Sequence, residues 1–215
     1  DSGIEYYKEL AKIGFNSMVN FTFPKDGNLD SIGSVWQSYA DELNSKSDWS
    51  TLSFLNNTYK RDADFSNMKN CGTSLLLSPG AVQIFYGDEI ARQEKITNAT
   101  DPTHGYRSDF IWEEHAEMLS HWQKLGQFRR KHPAVGAGNQ IIIGENLFLR
   151  TYSFKNYSDS IIIALPDKNN LEIDVTGIIK DGTKLTNYYT GESTVVKNGK
   201  AEFNQINNVL LIELN

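Results

Sequence analysis

The apolar positions of the chain keep two different periods. Residues 30–44 carry Ile32, Val35, Trp36, Tyr39 and Leu43 at helical spacing, with Asp30 or Ser31 placed to cap the first turn. Residues 114–131 repeat the pattern with Met118, Leu119, Trp122, Leu125 and Phe128, and Pro133 is expected to stop that helix. Shorter helices are expected over 5–13 and 66–78. Between the helices lie short β-rich runs: 17–21, closed by Pro24-Lys25-Asp26-Gly27; 51–55; and 82–86, entered through Pro79-Gly80. Strand, helix, strand, helix, strand is the order of βαβ units on a parallel sheet. The run VQIFY at 82–86 has the composition of a strand buried on both faces of such a sheet.

Beyond residue 137 the helical period disappears. Runs rich in Ile, Val, Tyr and Thr cover 140–143, 148–154, 160–165, 171–175, 184–187, 193–197, 201–203 and 209–214. Turn residues separate them, and Asn198-Gly199 is a strong two-residue hairpin signal. The continuous apolar run 161–165 is expected to be a central strand. This half reads as an antiparallel all-β domain of the sandwich type. The boundary falls near Gly136-Ala137-Gly138, which gives a segment 1–136 and a domain 137–215.

Charge and cysteine content narrow the function. A net charge of −6 with four histidines disfavours nucleic acid, because phosphate binding needs a basic face. No apolar run approaches the length of a membrane span, and the first residues show no signal-peptide pattern. The single cysteine, Cys71, excludes an internal disulfide and reads as a core residue. The histidines lack metal-ligand spacing. The Arg129-Arg130-Lys131 triplet reads as a solvated helix end.

In a parallel α/β sheet the chemistry collects beyond the carboxyl ends of the strands. Gly87, Asp88 and Glu89 follow directly on the third run, either as functional carboxylates or as caps of the next segment. The stretch SPGAVQIFYGDE at 78–89 resembles the eighth barrel strand and following loop of the α-amylases, glycoside hydrolase family 13. The resemblance continues through Asp101-Pro102, GYRSD at 105–109, Trp112 and HWQKLGQFRRKHPAVGAG at 121–138, and GFNSMVNFTF at 14–23 is similar to the segment carrying the sixth strand. It covers roughly residues 4–150 and is nearest to the periplasmic and secreted bacterial members.

The resemblance implies the sixth to eighth strands of a (β/α)8 barrel followed by a carboxyl-terminal β-sandwich. It implies retaining hydrolysis of α-1,4-glucans in the complete protein, in the periplasm, outside the cell or at its surface. It also implies that this chain alone is inactive, since the third to fifth strands carry the nucleophile and the acid. Thr58 and Tyr59 stand where the family has a His-Asp pair. The residues expected to meet substrate are Asn57, Asp88, Glu89, Arg107 and Trp112. Trp112 offers a ring face for a sugar and Arg107 donors for hydroxyls; the plainer alternatives are core packing for Trp112 and pairing of Arg107 with Asp109 or Glu113. Trp49, Tyr188 and Tyr189 are the other aromatic candidates for sugar contact, with cross-strand packing as the plainer use of the tyrosines. No metal is expected within the chain; calcium belongs, by the resemblance, to a segment of the complete protein. The expected partners are an α-glucan oligosaccharide and the amino-terminal part of the same protein or a second copy. The alternative is a degenerate relative that binds α-glucan, or serves structurally, without catalysis.

Overall fold

A computed structural model describes residues 9–10, 12–45, 50–57, 61–93, 109–112, 115–165, 172–204 and 209–214. Three strands, β1 (Ser17–Asn20), β2 (Ser50–Phe54) and β3 (Ala81–Gln83), form a parallel sheet in that order. Their register places Asn20, Ser53 and Val82 in one row and Val19, Leu52 and Ala81 in the next. The first row, with Met18 and Thr51, faces the helices and is largely buried; Val19 and Ala81 on the other face are exposed. The expected strand at 82–86 is therefore corrected. It is three residues long and half-exposed, because within the described residues only one face of this sheet is covered.

Helix α1 (Leu29–Ser45) connects β1 to β2 and buries Ile32, Trp36, Tyr39 and Ala40, one stripe at helical spacing. Trp36 donates its indole N–H to the Ser74 carbonyl at 3.0 Å and meets Phe148 edge-on, centroids 5.6 Å apart. Helix α2 (Met68–Leu76) connects β2 to β3 and is buried along nearly its whole length, Cys71 included. Helix α3 (Ala116–Lys131) lies against α2, and the packing is tight enough that a Cβ on Gly72 would sit 2.5 Å from the Trp122 ring. Pro133 does not simply end α3. It occupies the first turn of a further short helix, α4 (Pro133–Ala137), where a missing N–H costs nothing.

The remaining strands are β4 (Asn139–Gly144), β5 (Leu147–Phe154), β6 (Tyr157–Ala164), β7 (Glu172–Asp174), β8 (Lys184–Asn187), β9 (Ser193–Val195), β10 (Lys200–Glu202) and β11 (Leu210–Leu214). Six form an antiparallel sheet ordered β4-β5-β6-β11-β8-β9, and β10 pairs with β7 in a second sheet. Ile162, Ala164, Leu210 and Ile212 meet Ile173, Ala201 and Phe203 between the two sheets. Ile161, Ile163 and Leu211, on the other face, pack with Trp36, Leu75 and Phe128. Ile161–Ala164 of β6 is thus buried on both faces, as its unbroken apolar run indicates. Asn198 and Gly199 both take positive φ, 53° and 73°, the signature of the expected tight turn. The turn closes only the Lys197–Lys200 bridge, after which β9 and β10 diverge into separate sheets.

Two buried polar side chains, Arg150 and His121, tie the halves together, and Arg129 joins α3 to the end of α2. Arg150 on β5 donates to the carbonyls of Leu77 at 2.5 Å and Val135 at 2.8 Å and to the Gln140 side chain at 2.9 Å. Arg129 on α3 donates to the carbonyls of Leu76, Ser78 and Gly80. The two cations cover the open carboxyl end of α2, where the helix dipole favours positive charge. Arg129 is thus not the solvated charge that its place in the triplet indicates. His121 on α3 contacts the Lys69 carbonyl at 3.2 Å through Nε2 and the Tyr189 hydroxyl at 2.7 Å through Nδ1. Nε2 is also 2.9 Å from the Thr73 hydroxyl, which itself donates to the Lys69 carbonyl at 3.2 Å; with Nε2 protonated toward this pair of acceptors, Nδ1 accepts from the Tyr189 hydroxyl. Tyr189 is committed to this contact and buried, which removes it as a surface sugar contact; Trp49 lies outside the described residues.

Candidate functional site at the carboxyl rim of the parallel sheet

The three parallel strands end together, and the described residues of the loops that follow them, 21–28, 55–57 with 61–64, and 84–92, bind one another. The first two are joined where Asp64 N–H donates to the Lys25 carbonyl at 2.8 Å and Lys25 Nζ lies 3.4 Å from Asp62. The second and third are joined where Asn56 Nδ2 donates to Asp88 Oδ1 at 2.8 Å and Arg61 Nη2 donates to the Arg92 carbonyl at 2.7 Å. Arg61 also lies over the rings of Phe65 and Phe85, 4.9 and 5.4 Å from their centroids. These contacts make a continuous rim.

The third loop depends on Gly87. Its φ is 90°, and a Cβ there would meet Arg92 Cβ at 2.8 Å. Gly87 N–H donates to Glu89 Oε2 at 2.8 Å, so Glu89 closes its own loop. Arg92 folds back over Tyr86, with Nη2 3.1 Å from the phenol oxygen. Gly87→Ala is expected to lower stability by about 2 kcal/mol, from positive φ and overlap combined. The urea midpoint checks this; an unchanged midpoint contradicts it.

Asp88 is fully buried. Burial pushes its pKa up to about 6, against the opposing pull of the Asn56 bond and the Arg61 charge. Oδ2 has no hydrogen-bond partner among the described residues. A carboxyl with a near-neutral pKa is suited to proton transfer, but this one is turned inward onto Asn56. Of the other residues expected to meet substrate, Asn57 is half-buried, and Trp112 is 69% exposed with its ring tilted against Phe110, centroids 4.5 Å apart. Arg107, Thr58 and Tyr59 lie outside the described residues. The neighbouring carboxylates are engaged locally: Asp64 accepts from Ser66 N–H at 2.9 Å, and Asp62 faces Lys25. Asn56 and Arg61 are the residues sequence reasoning missed. The only signal was that a buried carboxylate on one loop needs a donor from another.

No family model matches the chain. The periplasmic α-amylase of Escherichia coli strain K12 is 34% identical to it over 171 residues, which take in 75% of this chain and 24% of that protein. The chain is a homologue of the α-amylases. Solved structures agree on the fold. An Anoxybacillus α-amylase superposes with a TM-score of 0.66 at 17% identity, over 100% of this chain and 51% of that one. The Geobacillus thermoleovorans α-amylase, solved with acarbose, gives 0.67 at 15% identity, over 100% of this chain and 52% of that one. The chain therefore spans about a quarter of its curated relative and about half of each solved α-amylase. Among the described residues of this α-amylase homologue, no group of three or more His, Cys, Asp or Glu side chains is arranged to hold a metal, and no helix is long and apolar enough to cross a membrane.

Proposed function

We propose that the chain is the carboxyl-terminal portion of an α-glucan-hydrolysing glycosidase that works outside the cytoplasm. β1 to β3 are three adjacent strands of its (β/α)8 barrel, and the β-sandwich braces them. The observation that carries this reading is the asymmetry of the parallel sheet. One face is clad by α1 and α2, as the outside of a barrel is, while Val19 and Ala81 stand exposed on the face that would line the barrel interior. Further strands, from the same protein or a second copy, would close that face. The bound rim of loops then forms one wall of the cleft, with Trp112 as its open aromatic surface and Asp88 holding the loop from beneath.

Retaining hydrolysis needs two carboxyls about 5–5.5 Å apart across the scissile bond. The rim carboxylates described above are engaged by other groups of the rim, so the reacting pair is assigned to the strands that complete the barrel. The purified chain is expected to show no turnover of soluble starch or an activated maltooligosaccharide above a heat-killed control. Turnover by the homogeneous chain would overturn this division of labour.

A further inference from the structure

The sequence holds a single Asn-Gly pair, Asn198-Gly199, and neither the rim nor the parallel sheet uses it. Asparagine followed by glycine readily loses its side-chain amide, because no Cβ on the second residue shields its backbone nitrogen. The reaction needs only water and base. The Gly199 backbone nitrogen gives its proton to solvent hydroxide and attacks Cγ of Asn198. The Cγ–Nδ2 bond breaks, and the amide nitrogen takes a proton from water and leaves as ammonia. Water then opens the five-membered imide, at one carbonyl to give aspartate and at the other to give isoaspartate.

The fold meets this reaction with two restraints. The first is the turn. Asn198 and Gly199 have φ of 53° and 73°, and Lys197 and Lys200 exchange backbone hydrogen bonds across them at 2.8 and 3.0 Å. That is a type I′ turn. Ring closure needs the Gly199 nitrogen eclipsed with the Asn198 Cβ, and this turn holds the two nearly opposite across the Cα–C bond. The turn must therefore open first. Val175 N–H pins it by donating to the Gly199 carbonyl at 2.8 Å, and Gly199 packs so closely that a Cβ there would overlap the Thr176 side chain. The second restraint is Asp181. Its Oδ2 accepts from Asn198 N–H and its Oδ1 from Gly199 N–H, each at 2.8 Å. Gly199 N is the nucleophile itself. The carboxylate stabilises the protonated amide, and the attacking anion would have to form beside a negative charge. Asp181 and Asn198 are both exposed, so hydroxide reaches the pair and burial does not protect it.

We propose that Asn198 is a deamidation site of the β domain and that Asp181 sets its rate, by holding the attacking Gly199 nitrogen protonated and the turn closed. The change is one-way. Isoaspartate adds a backbone atom to a two-residue turn, which parts Lys197 from Lys200 and loosens the pairing of β10 with β7. The test follows the peptide 193–202, released by a glutamyl endopeptidase after timed incubation of the whole chain in mildly alkaline buffer. Its mass rises as the amide becomes an acid, and the aspartyl and isoaspartyl forms separate chromatographically. Folded wild type is expected to react at least about tenfold more slowly than wild type in urea, and Asp181→Ala about tenfold faster than folded wild type, as for the loss of a charge-assisted hydrogen bond. Asp181→Asn retains the shape of the side chain without its charge and is expected to react at least about threefold faster than wild type, which keeps the test open if the alanine variant does not fold. Circular dichroism certifies the fold of each variant. No mass change even in urea would remove the site, wild type reacting at its urea rate would remove the protection, and a folded Asp181 variant no faster than wild type would overturn the role of Asp181.

Discussion

Arg150→Ala is expected to lower the stability of the folded chain by about 3–5 kcal/mol, because a buried charge and its partners are dismantled together. The side chain is fully buried. Its pKa is pushed down to about 9 by burial first and by the charge of Arg129 second, so it remains a cation at neutral pH. Its guanidinium also lies over the Trp36 ring, 5.1 Å from the centroid. Removing it leaves the carbonyls of Leu77 and Val135 without that donor and opens a cavity beside Trp36. Arg150→Lys retains the charge but cannot reproduce the planar set of three bonds, and is expected to be intermediate. Urea titration reads this as a lower midpoint at unchanged slope. A loss below about 1 kcal/mol in Arg150→Ala would show that the β domain does not brace the end of α2 through this residue.

Acid titration of stability is expected to reveal two opposed groups. His121 is neutral in the fold because burial, then the charge of Lys69, lowers its pKa from 6.5 to about 4. Its contribution is present above pH 6.5 and is lost as the pH falls through about 4. Burial raises Asp88 from 3.8 to about 6. Its contribution is present below pH 3.8 and is lost as the pH rises through about 6. Each linkage is worth about 3 kcal/mol, and the two offset over the same window. The difference between wild type and Asp88→Asn should therefore decline with rising pH between about 4 and 6. The difference between wild type and His121→Gln should climb over the same range. Variant curves that run parallel to wild type would contradict both assignments.

The parts legible in the sequence are those set by local pattern. The stripe Ile32, Trp36, Tyr39 defines α1 because a 3.6-residue period has one physical use. Asn198-Gly199 defines its turn because both positions need positive φ. The run 161–165 defines a central strand because no polar residue interrupts it. The illegible parts depend on long-range partners. Arg129 sits in a basic triplet at a helix end, and only the placement of α2 beneath it turns it inward. Asp88 follows a strand as a catalytic carboxylate does, yet Asn56, distant in sequence, claims it. β3 reads as a fully buried strand and is half-exposed, because among the described residues only one face of its sheet is covered. Pro133 follows a helix as a terminator and starts another, a choice that one residue cannot disclose.

The central claim is that β1, β2 and β3 are part of a larger parallel sheet. Native-state hydrogen exchange on the purified chain tests it most directly, because amides in an incomplete sheet open locally while a sheet covered on both faces opens only with the whole. Amides of β1 and β3 are predicted to exchange at least about tenfold faster than those of β5, β6 and β11. Uniform protection across both sheets would show that the three strands are already complete, and would contradict the barrel assignment.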